Sequence, residues 1–185
     1  YADHPLLFQV SKYIFPEKPP TFLGSLLKNV KSIDEFQSQI VIMVLERIIQ
    51  KTAGTFTYSG IENLLNNNGK FLMMTNHRDI VLDSALLSVV LIENGMNTVE
   101  IAIGDNLLIY PWIKKIVRIN KSFIVKRGLG LREQLKSSML MSSYMHYAIT
   151  QKHENIWIAQ RQGRAKDSND RTQDSILKMM VMGGE

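Results

Sequence analysis

Apolar runs of strand length recur along this chain, and most are followed by a helical pattern. KFLMMT precedes IVLDSALLSVVLIEN, TVEIAIG precedes DNLLIYPWIKKIV, SFIVKR precedes LGLREQLKSSMLMSSYMHYAITQ, and NIWIAQ comes last. Strands joined through helices return to the same edge of a sheet, and helices on both faces let those strands be apolar throughout. The alternation therefore predicts an α/β fold, with a mostly parallel sheet flanked by helices. Residues 1–53 read differently, as a helical N-terminal segment, so the α/β domain is assigned to 54–185.

Within the N-terminal segment, the proline-rich FPEKPPTF separates two short apolar stretches, HPLLFQVSKYIF and FLGSLLKNV. Ser32 and Glu35 have the spacing of a capping box, for a helix running to about Lys51 with Phe36, Ile40, Val44 and Ile48 on its apolar face. A short edge strand is expected over residues 52–59, a helix over IENLLNN and a turn at Asn67-Asn68-Gly69. Both ends look cut: the chain begins at Tyr1 and stops soon after ILKMMVM, so a further C-terminal portion is expected.

In sheets of this kind, ligands bind beyond the carboxyl ends of the strands. NHRD, DN, KRG and RQGRAKD follow the four strand-like runs. Polar and mostly basic residues from four separate segments should thus meet on one edge. The net charge of +5 suits an anionic partner, whereas no dense Lys/Arg stripe argues for nucleic acid. The absence of Cys excludes disulfides, thiolate metal sites and thiol nucleophiles. No apolar run reaches the roughly 18 residues of a transmembrane helix. Attachment to a membrane surface stays open, with Leu6, Leu7, Phe8, Tyr13, Ile14 and Phe15 available for either an interface or packing on the domain.

The stretch TNHRDIVLDSALL carries the chemistry. A kinase catalytic loop would need an Asn five residues beyond the Asp of HRD, but Ser84 stands there, and no glycine-rich loop or DFG accompanies it. A phosphatase lacks its metal carboxylates or nucleophile. A His directly after a strand, with an acid about one helical turn on, can instead form a charge-assisted pair. The carboxylate then holds the imidazole in the tautomer that takes a proton from a substrate hydroxyl. His77 is the candidate base; Asp83 is its first candidate partner and Asp79 the second, Asp79 being by default a first-turn acid favoured by the helix dipole.

Here the stretch resembles the glycerolipid acyltransferase family, particularly its glycerol-3-phosphate branch, whose members carry His, four residues, then Asp. Five residues intervene between His77 and Asp83, so one residue is inserted. FTYSGIENL resembles the family's lead-in to the first core strand. IAIGDNLLIYPWIKKI followed by FIVKRGLG resembles the segment whose two basic residues contact the substrate phosphate, which implies Lys126 and Arg127. NIWIAQRQGRAKD lies where the family has a strand leading into a Glu-Gly-Arg motif, and Gly163, Arg164 and Lys166 fit its Gly-Arg-x-basic part. The motif's Glu is absent: an ungapped match puts Arg161 in its place, and a one-residue shift puts Gln162 there, with Gln160 also adjacent. The resemblance covers roughly residues 54–170.

What it implies is an O-acyltransferase of phospholipid synthesis, cytoplasmic and peripheral on the inner face of a membrane. The acyl group would move from acyl-coenzyme A or acyl-carrier protein, as co-substrate, to glycerol 3-phosphate, lysophosphatidate or a related lipid. No cofactor or metal is expected. The rival expectation is a lipid- or acyl-carrier-binding module that keeps the fold without turnover. His146 and His153, seven apart, read as ordinary helix positions, and Met139, Met141 and Met145 as core fillers or the lining of an acyl-chain groove.

Overall fold

The computed structural model describes residues 2–67, 69–109 and 111–183, except for the side chains of Trp112 and Ile113. Four strands form one sheet in the order β1-β4-β2-β3: β1 (Leu72–Thr75), β2 (Val99–Gly104), β3 (Ser122–Val125) and β4 (Asn155–Ala159). Every pairing is parallel. The register sets Thr75 opposite Ala159 and Gly104 opposite Val125, so the carboxyl ends of all four strands open on one edge.

Both faces of the sheet are covered. On one, Ile156 and Ile158 pack with Leu72, Met74, Ala102 and Phe123 against the helices α8 (Leu131–Thr150) and α9 (Asp174–Val181), through Met145, Ala148 and Met179. On the other, Val99, Ile101, Trp157 and Met73 meet Leu91 and Leu87 of α6 (Leu82–Glu93). Alternate residues of one strand thus enter two separate cores, which is why the strands read as continuous apolar runs. The crossover after β2 begins with a single 3₁₀ turn at Asp105–Leu107 and continues as α7 (Pro111–Ile119). The helical expectation over that crossover includes Tyr110, and the expected turn includes Asn68; both residues lie outside the described ones.

The N-terminal helices α1 (Pro5–Ile14) and α2 (Phe22–Asn29) share a core with the following helix through Ile14, Phe15, Leu23 and Ile40. That following helix is not uniform. A short α3 (Ile33–Glu35) leads into a π-helical stretch, Phe36–Val41, before α4 (Ile42–Thr52). The Ser32 hydroxyl accepts from the Glu35 N–H (3.1 Å), as a capping box requires, but the Glu35 carboxylate reaches back to the Lys31 N–H (2.7 Å) rather than to Ser32. The π stretch turns Gln37 inward, where it is 3% exposed; its amide accepts from Thr98 (2.5 Å) and donates to Asn120 (3.3 Å). These contacts attach the N-terminal helices at the amino ends of β2 and β3, away from the edge where the strands end. Ile42 and Leu45 complete the attachment against Val89 of α6.

Two expectations need correction. Residues 52–59 form no strand: Thr52 ends α4, and the rest of the stretch is mostly exposed and runs to the short helix α5 (Glu62–Leu65) without pairing, so β1 keeps its outer edge unpaired among the described residues. Helix α6 starts at Leu82 rather than at Ile80, and Gly95 closes it with φ +73°. Helix α9 is an addition. The Ser142 hydroxyl and the His146 ring hold its Met180 carbonyl at 3.2 and 2.9 Å, which gives His146 a structural task.

An acid lies inside the sheet. The Glu100 carboxyl, on a side chain 4% exposed, accepts from Lys152 and from the Tyr144 hydroxyl (2.6 Å). Burial works to lower the Lys152 pKa, but its bonds to Glu100 and Tyr144 prevail and hold the ammonium above the ordinary lysine range. A raised folded pKa means that the pair's contribution is complete below about pH 10 and is lost as pH rises further. Replacing Lys152 by Ala strands the Glu100 charge. We expect a loss of about 2 kcal/mol, below the full cost for a buried pair because Lys152 is 37% exposed. Thermal unfolding at pH 7 measures it, and the gap between Lys152→Ala and wild type should narrow above pH 11.

Candidate active site

The turn after β1 is organised by two carboxylates. Asp79 Oδ1 accepts from the backbone N–H groups of Val81 and Leu82, both at 2.8 Å, and so caps the helix that starts at Leu82. Those two bonds are the main cause of an Asp79 pKa below the ordinary carboxylate range; burial opposes them, and the nearby Arg164 and His77 add to the lowering. Asp83, in the first turn of α6, points the other way. Its Oδ2 lies 2.8 Å from His77 Nδ1 and 2.7 Å from the Arg78 N–H, and the Asp79 N–H approaches both carboxylate oxygens at 3.2 Å.

Since a carboxylate only accepts, His77 Nδ1 carries the proton of that bond and Nε2 is the ring nitrogen turned to other partners. The pair is partly sheltered, with side chains 17% and 18% exposed, and the imidazole rests edge-on against Trp157 at 5.8 Å between ring centres. Trp157 is itself held by a bond from its indole N–H to the Thr75 hydroxyl (3.0 Å). The inserted residue is therefore taken up by a turn at Ile80-Val81, with Asp79 as cap, and the His–Asp contact is made across it.

The other sequence-selected residues divide into two places. The Ala165 N–H donates to the His77 carbonyl (2.6 Å), so Arg164 sits on a loop tied to the His77 turn, where its charge adds to the lowering of the Asp79 pKa; Gly163 takes φ +74° just before it. Lys166 is exposed on the same loop. Lys126 and Arg127 follow β3, three strand positions from β1, which at ordinary sheet spacing is about 14 Å. They line a cavity of about 340 Å³ with Arg161, Gln162, Gln134 and Ser137, between the strand ends and helices α8 and α9. Arg127 folds back over the end of β2: a Cβ on Gly104 would come within 2.7 Å of its Nε. A second cavity of about 640 Å³ shares Lys126, Leu129, Ser137 and Met141 with the first and continues along β3 toward Leu140 and Tyr144. Of the three methionines considered for an acyl groove, Met141 lines both cavities, Met145 is buried in the core and Met139 is half exposed outside them.

Gln160, adjacent to the position of the absent Glu, is buried and fully engaged. Its amide donates to Asn76 Oδ1 (2.5 Å) and to the Asp170 carbonyl (2.7 Å), and its oxygen accepts from Thr172 (3.3 Å). Arg161 instead turns to the Asn169 carbonyl (2.6 Å) and lies 3.8 Å from Asp167. Residues missed by sequence reasoning are Asn76, Arg78 and Asp170, which with Gln160 bond to one another across the loop after β4. Sequence reasoning named Gln160 only as a neighbour of the absent Glu, and Arg78 only as part of the HRD triplet of a kinase. Among the described residues, no group of three or more His, Cys, Asp or Glu is arranged to hold a metal ion.

The cap and its charge make a testable prediction. Because the Asp79 carboxylate is stabilised in the fold, its contribution is present above the ordinary aspartate pKa of about 4 and is lost as pH falls through the lower folded value. Asp79→Ala is expected to destabilise by about 1 kcal/mol at pH 7. Asp79→Asn should cost less and should flatten the acid limb of stability against pH, both read by urea unfolding.

No curated protein matches the chain. A protein-family model described as Acyltransferase matches residues 55–174, which holds all four strands, the His77 turn and the cation loop. The chain belongs to the acyltransferase family.

Proposed function

We propose that this chain is an O-acyltransferase of glycerolipid synthesis, using a phosphorylated acceptor. The acyl group comes from a thioester of coenzyme A or acyl-carrier protein, and the acceptor is glycerol 3-phosphate, lysophosphatidate or a related lipid. The observation that carries the reading is the His77–Asp83 pair at the end of β1, with Arg164 on the loop that the Ala165 N–H bonds to the His77 carbonyl.

In this mechanism His77 Nε2 takes the proton of the acceptor hydroxyl while Asp83 steadies the imidazolium that forms. The acceptor oxygen forms a bond to the thioester carbonyl carbon, the carbon–sulfur bond breaks, and the departing thiolate takes the proton back from His77. No protein nucleophile is used. Arg164 and Lys166 hold the acceptor phosphate from the side of His77, and Lys126 and Arg127 complete its cationic surroundings. Guanidinium groups suit phosphate because they bond its oxygens as a fork. Holding the hydroxyl against the base in this way supplies several kcal/mol of the barrier reduction. The cavity along β3, with Leu140, Met141 and Tyr144, offers an apolar chain a groove beside Lys126. Product and substrate being lipids, the enzyme works peripherally, at the cytoplasmic face of a membrane; among the described residues no helix is long and apolar enough to cross one.

Two substitutions test the assignment. His77→Ala is expected to lower kcat about a thousandfold with little change in donor affinity. Equal thiol release by wild type and variant, or none from wild type with any phosphorylated acceptor, would favour a binding module on the same fold. Gly104→Ala is a gentler probe, since Gly104 has ordinary dihedrals (φ −70°, ψ 138°) and the atoms nearest the new methyl belong to the Asn106 and Arg127 side chains. It should leave the melting temperature near that of wild type and raise KM for the acceptor about fivefold by displacing Arg127.

A further inference from the structure

The residues between β4 and α9, Gln160 to Gln173, carry Gly163, Arg164 and Lys166 without regular secondary structure. A loop of this length has a defined shape only where particular bonds oppose its conformational entropy. At its ends those bonds belong to Gln160: the side-chain bonds already described, and a Gln160 carbonyl that accepts from the Gln173 N–H (2.9 Å). In its middle they belong to the turn after β1. The Ala165 N–H donates to the His77 carbonyl (2.6 Å), Arg78 Nη1 donates to the Asp167 carbonyl (3.0 Å), and Arg78 Nη2 pairs with Asp170 Oδ2 (2.6 Å).

We propose that Arg78 is a positioning residue that fixes the cation loop to the base, so that Arg164 is presented to the acceptor phosphate beside His77. This rests on the acyl-transfer reading above. One residue serves both partners: its backbone N–H orients the Asp83 carboxylate that braces His77, and its guanidinium reaches both the loop backbone and Asp170. Arg164 lies between the Gln160 anchor and the Arg78 anchor, so its distance from His77 is set by these bonds. The ion pair itself is half exposed, 50% on Arg78 and 30% on Asp170, and such pairs add little to stability. Its consequence is geometric. A lysine could keep the attraction to Asp170 but, with a single ammonium, could not reproduce the fork that also grips the Asp167 carbonyl.

The experiment compares wild type, Arg78→Lys, Arg78→Ala, Arg164→Ala and the Arg78→Ala/Arg164→Ala double variant, all in the full chain. Acyl-coenzyme A is the donor and glycerol 3-phosphate or lysophosphatidate the acceptor. Arg78→Ala should raise KM for the acceptor about tenfold, with kcat and KM for the donor within about threefold of wild type. Arg78→Lys should fall between, and the double variant should be no worse than Arg164→Ala, because the two residues act through one contact. Effects that multiply in the double variant, or a fall in kcat with unchanged acceptor KM, would overturn the assignment. Amide hydrogen exchange supplies a readout that needs no turnover: residues 161–170 should exchange faster in Arg78→Ala while the sheet does not. Unchanged exchange there sinks the latch. Faster exchange in the variant of a protein whose wild type transfers no acyl group would support the latch and count against the acyl-transfer reading alone.

Discussion

A parallel sheet can gather side chains from distant parts of a chain because each crossover helix carries the backbone back to the starting edge, so every strand ends at the same side. In this protein that constraint brings the residues after Thr75, Gly104, Val125 and Ala159 to one rim. The strand order then ranks them. The outer position of β1 beside β4 makes the His77 turn and the Gly163–Lys166 loop immediate neighbours, joined by the bond from Ala165 to the His77 carbonyl. Lys126 and Arg127 stand at the opposite edge of the sheet, and Arg127 leans inward over Gly104, where the lack of a side chain leaves it room.

The two faces of the sheet add a second division. His77 contacts Trp157, whose side chain belongs to the core shared with α6, whereas the cavity lined by Arg127 and Arg161 lies toward α8 and α9. His77 and the larger cation cluster therefore lie at the rim on opposite faces of the sheet. Segment 160–166 joins the two sides, with Ala165 bonded to the His77 carbonyl and Arg161 lining the cavity. A substrate carrying both a nucleophilic hydroxyl and a phosphate is suited to a rim of this kind, because one end can be held while the other reaches the imidazole.

Much of the fold was legible because it depends on residue type at short range. The four strands declare themselves as apolar runs, since both faces are covered, and Gly95 marks a helix end through its left-handed backbone. Where the outcome depended on neighbours, reading failed. Thr52 to Ser59 has β-branched and polar residues of strand type, but nothing in the local sequence reveals that no partner comes alongside. The start of α6 could not be set to better than two residues because Asp79 and Asp83 are both plausible first-turn acids. Only the geometry shows that one caps the helix while the other faces the ring. The contacts of Arg78 and Gln160 were invisible for a stronger reason. Their partners, Asp167, Asp170 and Asn76, lie more than 80 residues from them in all but the bond from Gln160 to the Asp170 carbonyl, which spans 10.

The absent Glu of the Gly-Arg motif has a physical counterpart in this arrangement. A carboxylate at position 161 or 162 would face Arg127 and Lys126 across the cavity, where it would compete with a bound phosphate for the same cations. With Arg161 and Gln162 there, the cavity's polar lining is cations, amides and serine hydroxyls, and the loop's own acids, Asp167 and Asp170, are drawn to Arg161 and Arg78. The cations lining the cavity are thus left with more net positive field than a Glu-bearing loop would give them. The orientation of the loop, which a buried carboxylate could otherwise supply, falls to neutral Gln160 and to Arg78. Charge at the rim and geometry of the loop are separated between residues, so that each can be changed without removing the other.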